Sequence, residues 1–266
     1  MTIAEYQNKN KNLPRNEMEV LFQFVLKINK TQLFLLDQQK LTNDQINELD
    51  QLVQRRLKGE PLAYLVEKKE FYGQDFIVDQ NVLIPRPETE EMVEMGIKLN
   101  PATILDIGTG SGVIACTIAH NLPDSQVTAL DISPEALKIA SQNAKNLKLQ
   151  NIEFLVSDFL TKIPKNSEYD LIIINPPYIK LSDTHLMGPE TLAFEPPLAL
   201  FSGEDGLDAY RQIFKQLSAQ NIKFKNFLGE FGATQEMELI NLLDELFYGK
   251  YHIQKDLSGI PRFIII

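Results

Sequence analysis

The chain has 266 residues, 44% of them hydrophobic, enough for one large domain or for a core domain with a small one beside it. Thirty-six acidic residues against 26 basic ones leave a net charge of −10, which sets most of the surface against a long nucleic-acid duplex and favours a protein or a cationic small molecule as partner. A single cysteine, Cys116, excludes an internal disulfide and a cysteine-based zinc site; with only three histidines (His120, His185, His252), no metal is expected. No run approaches the ~18 apolar residues of a membrane span, and "MTIAEYQNKNKNLPRNEMEV" lacks the apolar region of a signal peptide, so a cytoplasmic protein is expected.

Residues 1–70 read as a small helical domain: "MEVLFQFVLKI", "KTQLFLLDQQ" and "TNDQINELDQLVQRRLKG" repeat apolar residues at helical spacing, the last with a cap at Thr42 or Asn43 and a stop at Gly59. Residues 71–88 read as a β-hairpin linker, with Phe71, Phe76, Val78 and residues 82–84 forming two short strands before Pro85 and Pro87 lead into a helix near Glu88. From residue 89 to 266 the pattern becomes strand and helix in alternation. Strands are expected at "TILDI", "QVTALDI", "IEFLVS", "YDLIII" and "KNFLGE", with helices over 112–121, 134–148, 206–219 and 234–247. That alternation predicts an α/β fold, a mostly parallel Rossmann-like sheet with ligands at the carboxyl ends of its strands. The tail "KYHIQKDLSGIPRFIII" has no helix between its two apolar segments and predicts an antiparallel pair at one edge.

In "ILDIGTGSGVIACTIA", Asp106 ends a strand and Gly108, Thr109, Gly110, Ser111 and Gly112 make the turn into a helix. Glycines there let a ligand approach the main chain without meeting a Cβ. A dinucleotide fingerprint would need glycine at the sixth loop position, where this chain has Val113, so a nicotinamide oxidoreductase is disfavoured. An acidic residue leading into a tight glycine triplet suits S-adenosylmethionine better: Asp106 can face the cationic amino-acid part, and backbone amides can hold its carboxylate. Asp131 closes the next strand, where a carboxylate would meet the ribose hydroxyls, and Asp158 and Phe159 end the following one, where they would contact adenine by hydrogen bond and stacking. Each has an ordinary alternative: Asp131 as a helix cap, Asp158 as a turn residue, Phe159 as core.

"DLIIINPPYIK" places Asn175, Pro176, Pro177 and Tyr178 at the end of a buried strand of the same sheet. Methylating an amide or aromatic amine is difficult because the nitrogen lone pair is delocalised. The side-chain oxygen of Asn175 and the carbonyl of Pro176 can each take one N–H of such a group, and prolines hold those carbonyls in a stiff arrangement. Tyr178 would cover the flat face of the substrate, so that orientation and electrostatics supply the catalysis without a metal or strong base.

The chain resembles the peptide-chain release factor glutamine N5-methyltransferases, the PrmC/HemK family of class I S-adenosylmethionine-dependent enzymes. The resemblance runs over nearly the whole chain, through "GEPLAYL", "EFYG", "VLIPRPETE", "LDIGTGSG", "ALDISPEAL", "NPPY", "EPPLAL", "GEDGLDAYRQI" and "DLSGIPR". It implies a methyltransferase domain over 89–266, methyl transfer to the glutamine of the Gly-Gly-Gln loop of class 1 release factors, S-adenosylhomocysteine as product, and an N-terminal domain that helps dock the protein substrate. The family's donor site falls on residues 108–112, Asp131, Phe159 and Asn175, and its glutamine site on Asn175, Pro176, Pro177 and Tyr178. A monomer without nucleic-acid reading or a membrane partner is expected. Two positions depart from the family pattern: Glu67 and Ser202 stand where glycine is usual. Arg86 is expected either to touch donor or partner or to form a hinge salt bridge. The rival readings are a glutamine methyltransferase acting on a ribosomal protein, an adenine-N6 methyltransferase, and an inactive donor-binding adaptor.

Overall fold

In the computed structural model, which describes residues 1–247 and 250–266, contacts divide the chain into two units: Met1–Lys68 with Pro189–Phe194, and Lys69–Gly188 with Glu195–Ile266. The first is helical: α1 (Ile3–Lys9), α2 (Arg15–Leu26), α3 (Lys30–Leu35), α4 (Asn43–Leu57) and α5 (Leu62–Leu65). Three of these helices open on reciprocal capping boxes, Thr2 with Glu5, Asn29 with Gln32 and Thr42 with Gln45, each satisfying N–H groups that a helix start leaves unpaired. Tyr6, Met18, Leu21, Phe22 and Leu49 form the fully buried centre. Within this unit Arg56 donates to Glu17 at 2.5 Å and to Glu190 of the returning segment at 2.6 Å.

A hairpin does form, but over residues 68–77 rather than 71–88: strands β1 (Lys68–Phe71) and β2 (Gln74–Ile77) are turned by Tyr72 and Gly73, both at positive φ as a type I′ turn requires. Residues 82–84, expected as strand, are not one. Asp79 accepts from the Asn81 N–H and its carbonyl from the Val82 N–H, so the chain turns there, and the Ile84 N–H goes to the Glu195 side chain at 3.0 Å. With Pro85 and Pro87 lacking donors, the segment has no ladder to join.

After α6 (Glu88–Lys98) the alternation unfolds as β3 (Thr103–Ile107), α7 (Val113–Asn121), β4 (Gln126–Asp131), α8 (Pro134–Asn146), β5 (Ile152–Val156) and β6 (Glu168–Ile174). A short α9 (Pro189–Phe194) belongs to the helical unit, and α10 (Asp208–Gln220), β7 (Lys223–Glu230), α11 (Glu236–Phe247), β8 (His252–Lys255) and β9 (Pro261–Ile265) complete the sheet. Among the described residues the strand order is β5-β4-β3-β6-β7-β9-β8, parallel through β7 and antiparallel in its last two pairings. The tail pairs as expected, with β9 inserted beside β7. Both faces of the sheet are covered, which is why its central strands read as unbroken apolar runs. Ile104, Leu171 and Ile173 pack with Ile114 and Ile118 of α7, while Leu105, Ile172 and Ile174 pack with Tyr210, Phe214 and Leu243 on the other side. From β3 the order runs outward through β4 in one direction and through β6 in the other. The switch point between β3 and β6 is where such a sheet opens a crevice at its carboxyl ends.

Candidate functional site

That crevice is a cavity of about 470 Å³, a size suited to a small molecule. Its wall takes in Gly108, Thr109, Gly110 and Ser111 after β3, Asp131 after β4, Asp158 and Phe159 after β5, and Asn175, Pro176 and Pro177 after β6. Three residues expected at the ligand stand off this wall: Asp106, Gly112 and Tyr178.

The glycines differ in what they do. All three have positive φ, but a Cβ added to Gly108 or Gly110 meets nothing within 4 Å, whereas one on Gly112 falls 2.9 Å from Ala140 Cβ. The first two keep backbone open to a ligand; Gly112 lets α7 start against α8. Loop shape is set from β4: the N–H groups of Gly108 and Thr109 both donate to the Leu130 carbonyl at 2.8 Å, and Gly110 N–H donates to Asp131 Oδ2 at 2.8 Å. Asn143 of α8 fastens the far end, donating to the Ser111 carbonyl at 2.8 Å.

Asp106 braces this loop from below, off the cavity wall. It is fully buried; its Oδ2 accepts from the Thr109 hydroxyl at 2.6 Å, while Oδ1 has no hydrogen-bond partner. Burial pushes its carboxyl up to about 7 against the Thr109 hydrogen bond, and the nearby Asp131 charge adds to the rise. The Ala115 N–H at the start of α7 lies near enough to favour the charged form yet outside hydrogen-bond geometry. Asp131 is also raised by burial, opposed by N–H donors including those of Ser133 and Gly110. The cap of α8 is Ser133, whose hydroxyl accepts from the Ala136 N–H; Asp131 instead ties the loop to the chain after β4, accepting from Ser133 N–H at 2.9 Å. Phe159 lines the cavity in a left-handed conformation (φ 46°), an uncommon backbone for an aromatic residue, and exposed Asp158 accepts from Gln212 of α10 at 3.3 Å.

On the other side Asn175 Nδ2 donates to the Thr89 hydroxyl at 3.1 Å, and that hydroxyl donates to Glu230 Oε2 at 2.7 Å. Glu230 ends β7, is buried, and has its carboxyl pushed up to about 7 by desolvation, against the Thr89 hydrogen bond and the positive charge of Arg262. Tyr178 presents its hydroxyl to Glu230 Oε1 at 3.3 Å, and burial, with the Glu230 charge, pushes that hydroxyl's pKa up. The segment after it is pinned: Gln235 Nε2 donates to the carbonyls of Tyr178 and Asp205 at 2.8 Å each, and Ile179 exchanges backbone hydrogen bonds with Leu200 and Ser202. A Cβ on Gly206 would fall 2.2 Å from the Tyr178 carbonyl and 2.0 Å from Gln235 Nε2, which explains the glycine of "EDGL".

Arg86 lines the cavity and forms a salt bridge to buried Glu195 at 2.7 Å. Ser202 uses its side chain as a glycine could not, accepting from the Ala209 N–H at 2.9 Å in the first turn of α10. Glu67 keeps the left-handed backbone (φ 52°) that favours glycine. Sequence reasoning missed Thr89, Glu195, Glu230, Gln212 and Gln235. Thr89, Glu195 and Gln212 lay within the quoted "VLIPRPETE", "EPPLAL" and "GEDGLDAYRQI", a signal without a role; Glu230 and Gln235 carried none.

The residues present fit a cationic, adenosine-bearing ligand: an open glycine backbone, a carboxylate whose two oxygens each retain acceptor capacity, and an aromatic beside it. No group of three or more His, Cys, Asp or Glu able to hold a metal occurs among the described residues, nor a helix long and apolar enough to cross a membrane.

Residues 3–66 match the family described as PrmC N-terminal domain, and residues 100–226 a family described as Methyltransferase domain. The release factor glutamine methyltransferase of Koribacter versatilis (strain Ellin345) is 38% identical over 256 residues, covering 95% of this chain and 90% of that relative. That of Neisseria gonorrhoeae (strain ATCC 700825 / FA 1090) is 38% identical over 265 residues, covering 98% and 96%. Among solved structures, the hMettl16 catalytic domain in complex with MAT2A 3'UTR hairpin 1 aligns with a TM-score of 0.57 at 13% identity, over 84% of this chain and 80% of that one. A 16S rRNA methyltransferase of T. Thermophilus in complex with AdoMet and guanosine aligns with a TM-score of 0.52 at 16% identity, over 74% and 48%. At these identities the likeness is one of fold.

Proposed function

The chain belongs to the release factor glutamine methyltransferase family, and from that premise we propose that it transfers the methyl group of S-adenosylmethionine to the side-chain amide nitrogen of the glutamine in the Gly-Gly-Gln loop of class 1 release factors, modulating translation termination. The observation that carries this reading is the common wall: Asn175 and Pro176 line the same cavity as Gly108, Gly110 and Asp131.

S-adenosylmethionine, when bound, supplies an electrophilic methyl group on a sulfonium. Backbone at 108–111 would hold its amino-acid part, Asp131 its ribose hydroxyls through the lone pairs not used by Gly110 and Ser133, and Asp158 and Phe159 its adenine. Asp106 and Gly112 support that loop without contact. Asn175 Oδ1 and the Pro176 carbonyl accept the two N–H groups of the glutamine, turning its nitrogen toward the donor and raising electron density on it, with Pro177 stiffening the segment. Tyr178 serves by anchoring the segment to Glu230. The proton lost from nitrogen goes to water. These are gains of orientation and of electrostatics. The chain is read as two domains joined by the hairpin of residues 68–77, a cytoplasmic monomer whose N-terminal helices help dock the release factor; its net charge of −10 suits a partner with the basic patches that RNA contact requires.

The test is methyl transfer from labelled S-adenosylmethionine to purified release factor, with the modified residue located by mass spectrometry. Label on the glutamine of the Gly-Gly-Gln loop is expected. Label on a ribosomal protein or on nucleic acid, with none on release factor, would overturn the substrate.

A further inference from the structure

Asn175 has two chemically opposite ends, and only one can serve a substrate amide that offers N–H groups. In the structure its Nδ2 is turned to Thr89, and among the described residues its Oδ1 has no hydrogen-bond partner. The amide is therefore set with its acceptor free, and the reason lies two residues deeper. A threonine hydroxyl has one proton and two lone pairs. Glu230 Oε2, at 2.7 Å, takes that proton, so toward Asn175 the Thr89 oxygen is an acceptor only. An amide turned over would put Oδ1 against that lone pair and lose the 3.1 Å hydrogen bond. The three residues come from separate elements, Thr89 from the first turn of α6, Asn175 from the end of β6 and Glu230 from the end of β7.

We propose that Thr89 and Glu230 are positioning residues of the transfer: together they hold Asn175 with its carbonyl oxygen, and not its NH2, toward the substrate amide. The inference rests on the reading of Asn175 as acceptor for the glutamine N–H. It assigns work to a buried carboxylate that touches neither donor nor substrate, and it accounts for a threonine in the first turn of α6 on the cavity wall.

The device depends on charge. Glu230 is faced by Glu88 and Thr89 from α6, by Tyr178 after β6, by Tyr210 from α10, whose hydroxyl donates to its backbone carbonyl at 2.6 Å, and by Arg262 from β9. Burial pushes its carboxyl up to about 7, with Arg262 opposing and Glu88 adding to the rise. Once protonated, Glu230 is no longer a pure acceptor. The Thr89 hydroxyl is then free to donate to Asn175 Oδ1, turning the NH2 toward a substrate that also brings NH2. Transfer should therefore weaken as pH falls through about 7.

The experiment is single-turnover methyl transfer to release factor from pH 5.5 to 9 by wild type, Thr89→Val, Thr89→Ser, Glu230→Gln and Asn175→Ala, with S-adenosylmethionine affinity measured by calorimetry on each. Thr89→Val, which keeps shape but removes the hydroxyl, is expected to lower the maximal rate about tenfold or more while leaving the KM for release factor within about threefold; Thr89→Ser should restore most of the rate. Glu230→Gln is expected to lose the acid limb of the profile. Equal rates for Thr89→Val and Thr89→Ser, a loss confined to donor affinity, or an acid limb unchanged in Glu230→Gln would overturn the proposal. Should Thr89→Val fail to fold, the profile of Glu230→Gln against wild type decides alone. Asn175→Ala separates the two levels: a fully active variant removes the reading of Asn175 itself, whereas an inactive one beside a wild-type Thr89→Val removes only the relay.

Discussion

The two halves of the cavity are built by different means. On the donor side, shape is written in the main chain: positive φ at Gly108 and Gly110, N–H groups collected by Leu130 and Asp131, and a carboxylate beneath the loop. On the acceptor side, shape is written in side chains from distant segments, with Thr89, Glu230, Tyr178 and Gln235 linked by hydrogen bonds around the strand end that carries Asn175. A backbone-built half depends on few positions and fails when its bracing is removed. A side-chain-built half has more positions that matter, each acting through another.

The contrast can be broken first on the donor side. Asp131→Ala removes acceptors for both Gly110 and Ser133 N–H as well as for the ligand, and should weaken S-adenosylmethionine by roughly 100-fold, about 3 kcal/mol, in a calorimetric titration, with the fold retained. A change below about threefold would mean that the loop holds its shape without this carboxylate.

Gly112→Ala tests whether the same loop also carries stability. Its Cβ would press on Ala140 at 2.9 Å and its φ of 81° suits glycine, so a loss of about 2–3 kcal/mol in urea unfolding is expected. Gly110→Ala, where a Cβ meets nothing, should be milder in stability and act mainly on donor binding.

The buried carboxylates give the next effect, on stability against pH. Asp106 and Glu230 both have folded-state values near 7, above their ordinary 3.8 and 4.5. Burial therefore favours their neutral forms: the stability they contribute is fully present below about pH 4 and is lost as pH rises through about 7. Asp205, held down to about 2 chiefly by Arg211, works in the opposite sense, its contribution fading as pH falls below about 4. Thermal unfolding from pH 5 to 8 should show a falling midpoint, and Glu230→Gln should flatten it by about 1–3 kcal/mol across that window. A midpoint that rises with pH over the same range would contradict the assignment.

The local structure of the glycine-loop half was largely legible in the sequence for a physical reason. A strand end, a glycine turn and a helix start are local, and each element's period announces itself within a few residues. Even there, the sequence did not show that Asp106 lies buried under the loop, because that depends on which neighbour takes its hydrogen bonds. The acceptor half was legible only as far as "NPPY". Glu230 is 55 residues away along the chain from Asn175 (230 − 175) and reads as an unremarkable strand end. Residues 82–84 misled for a related reason: their apolar character suits a strand, yet the Val82 N–H turns back to Asp79 and the Ile84 N–H goes to a glutamate more than a hundred positions later.

The smallest effect sharpens that lesson. Glu67→Gly, which puts glycine at φ 52°, should raise stability by no more than about 1 kcal/mol and leave transfer unchanged. A loss would show that the Glu67 side chain does more than tolerate its backbone.

The measurement that bears most directly on a divided site is a single-turnover titration of S-adenosylmethionine with Asn175→Ala and saturating release factor. The maximal rate should fall roughly 10²–10³-fold while half-saturation moves only a few-fold. A normal maximal rate, with half-saturation displaced instead, would place Asn175 with the donor and contradict the division.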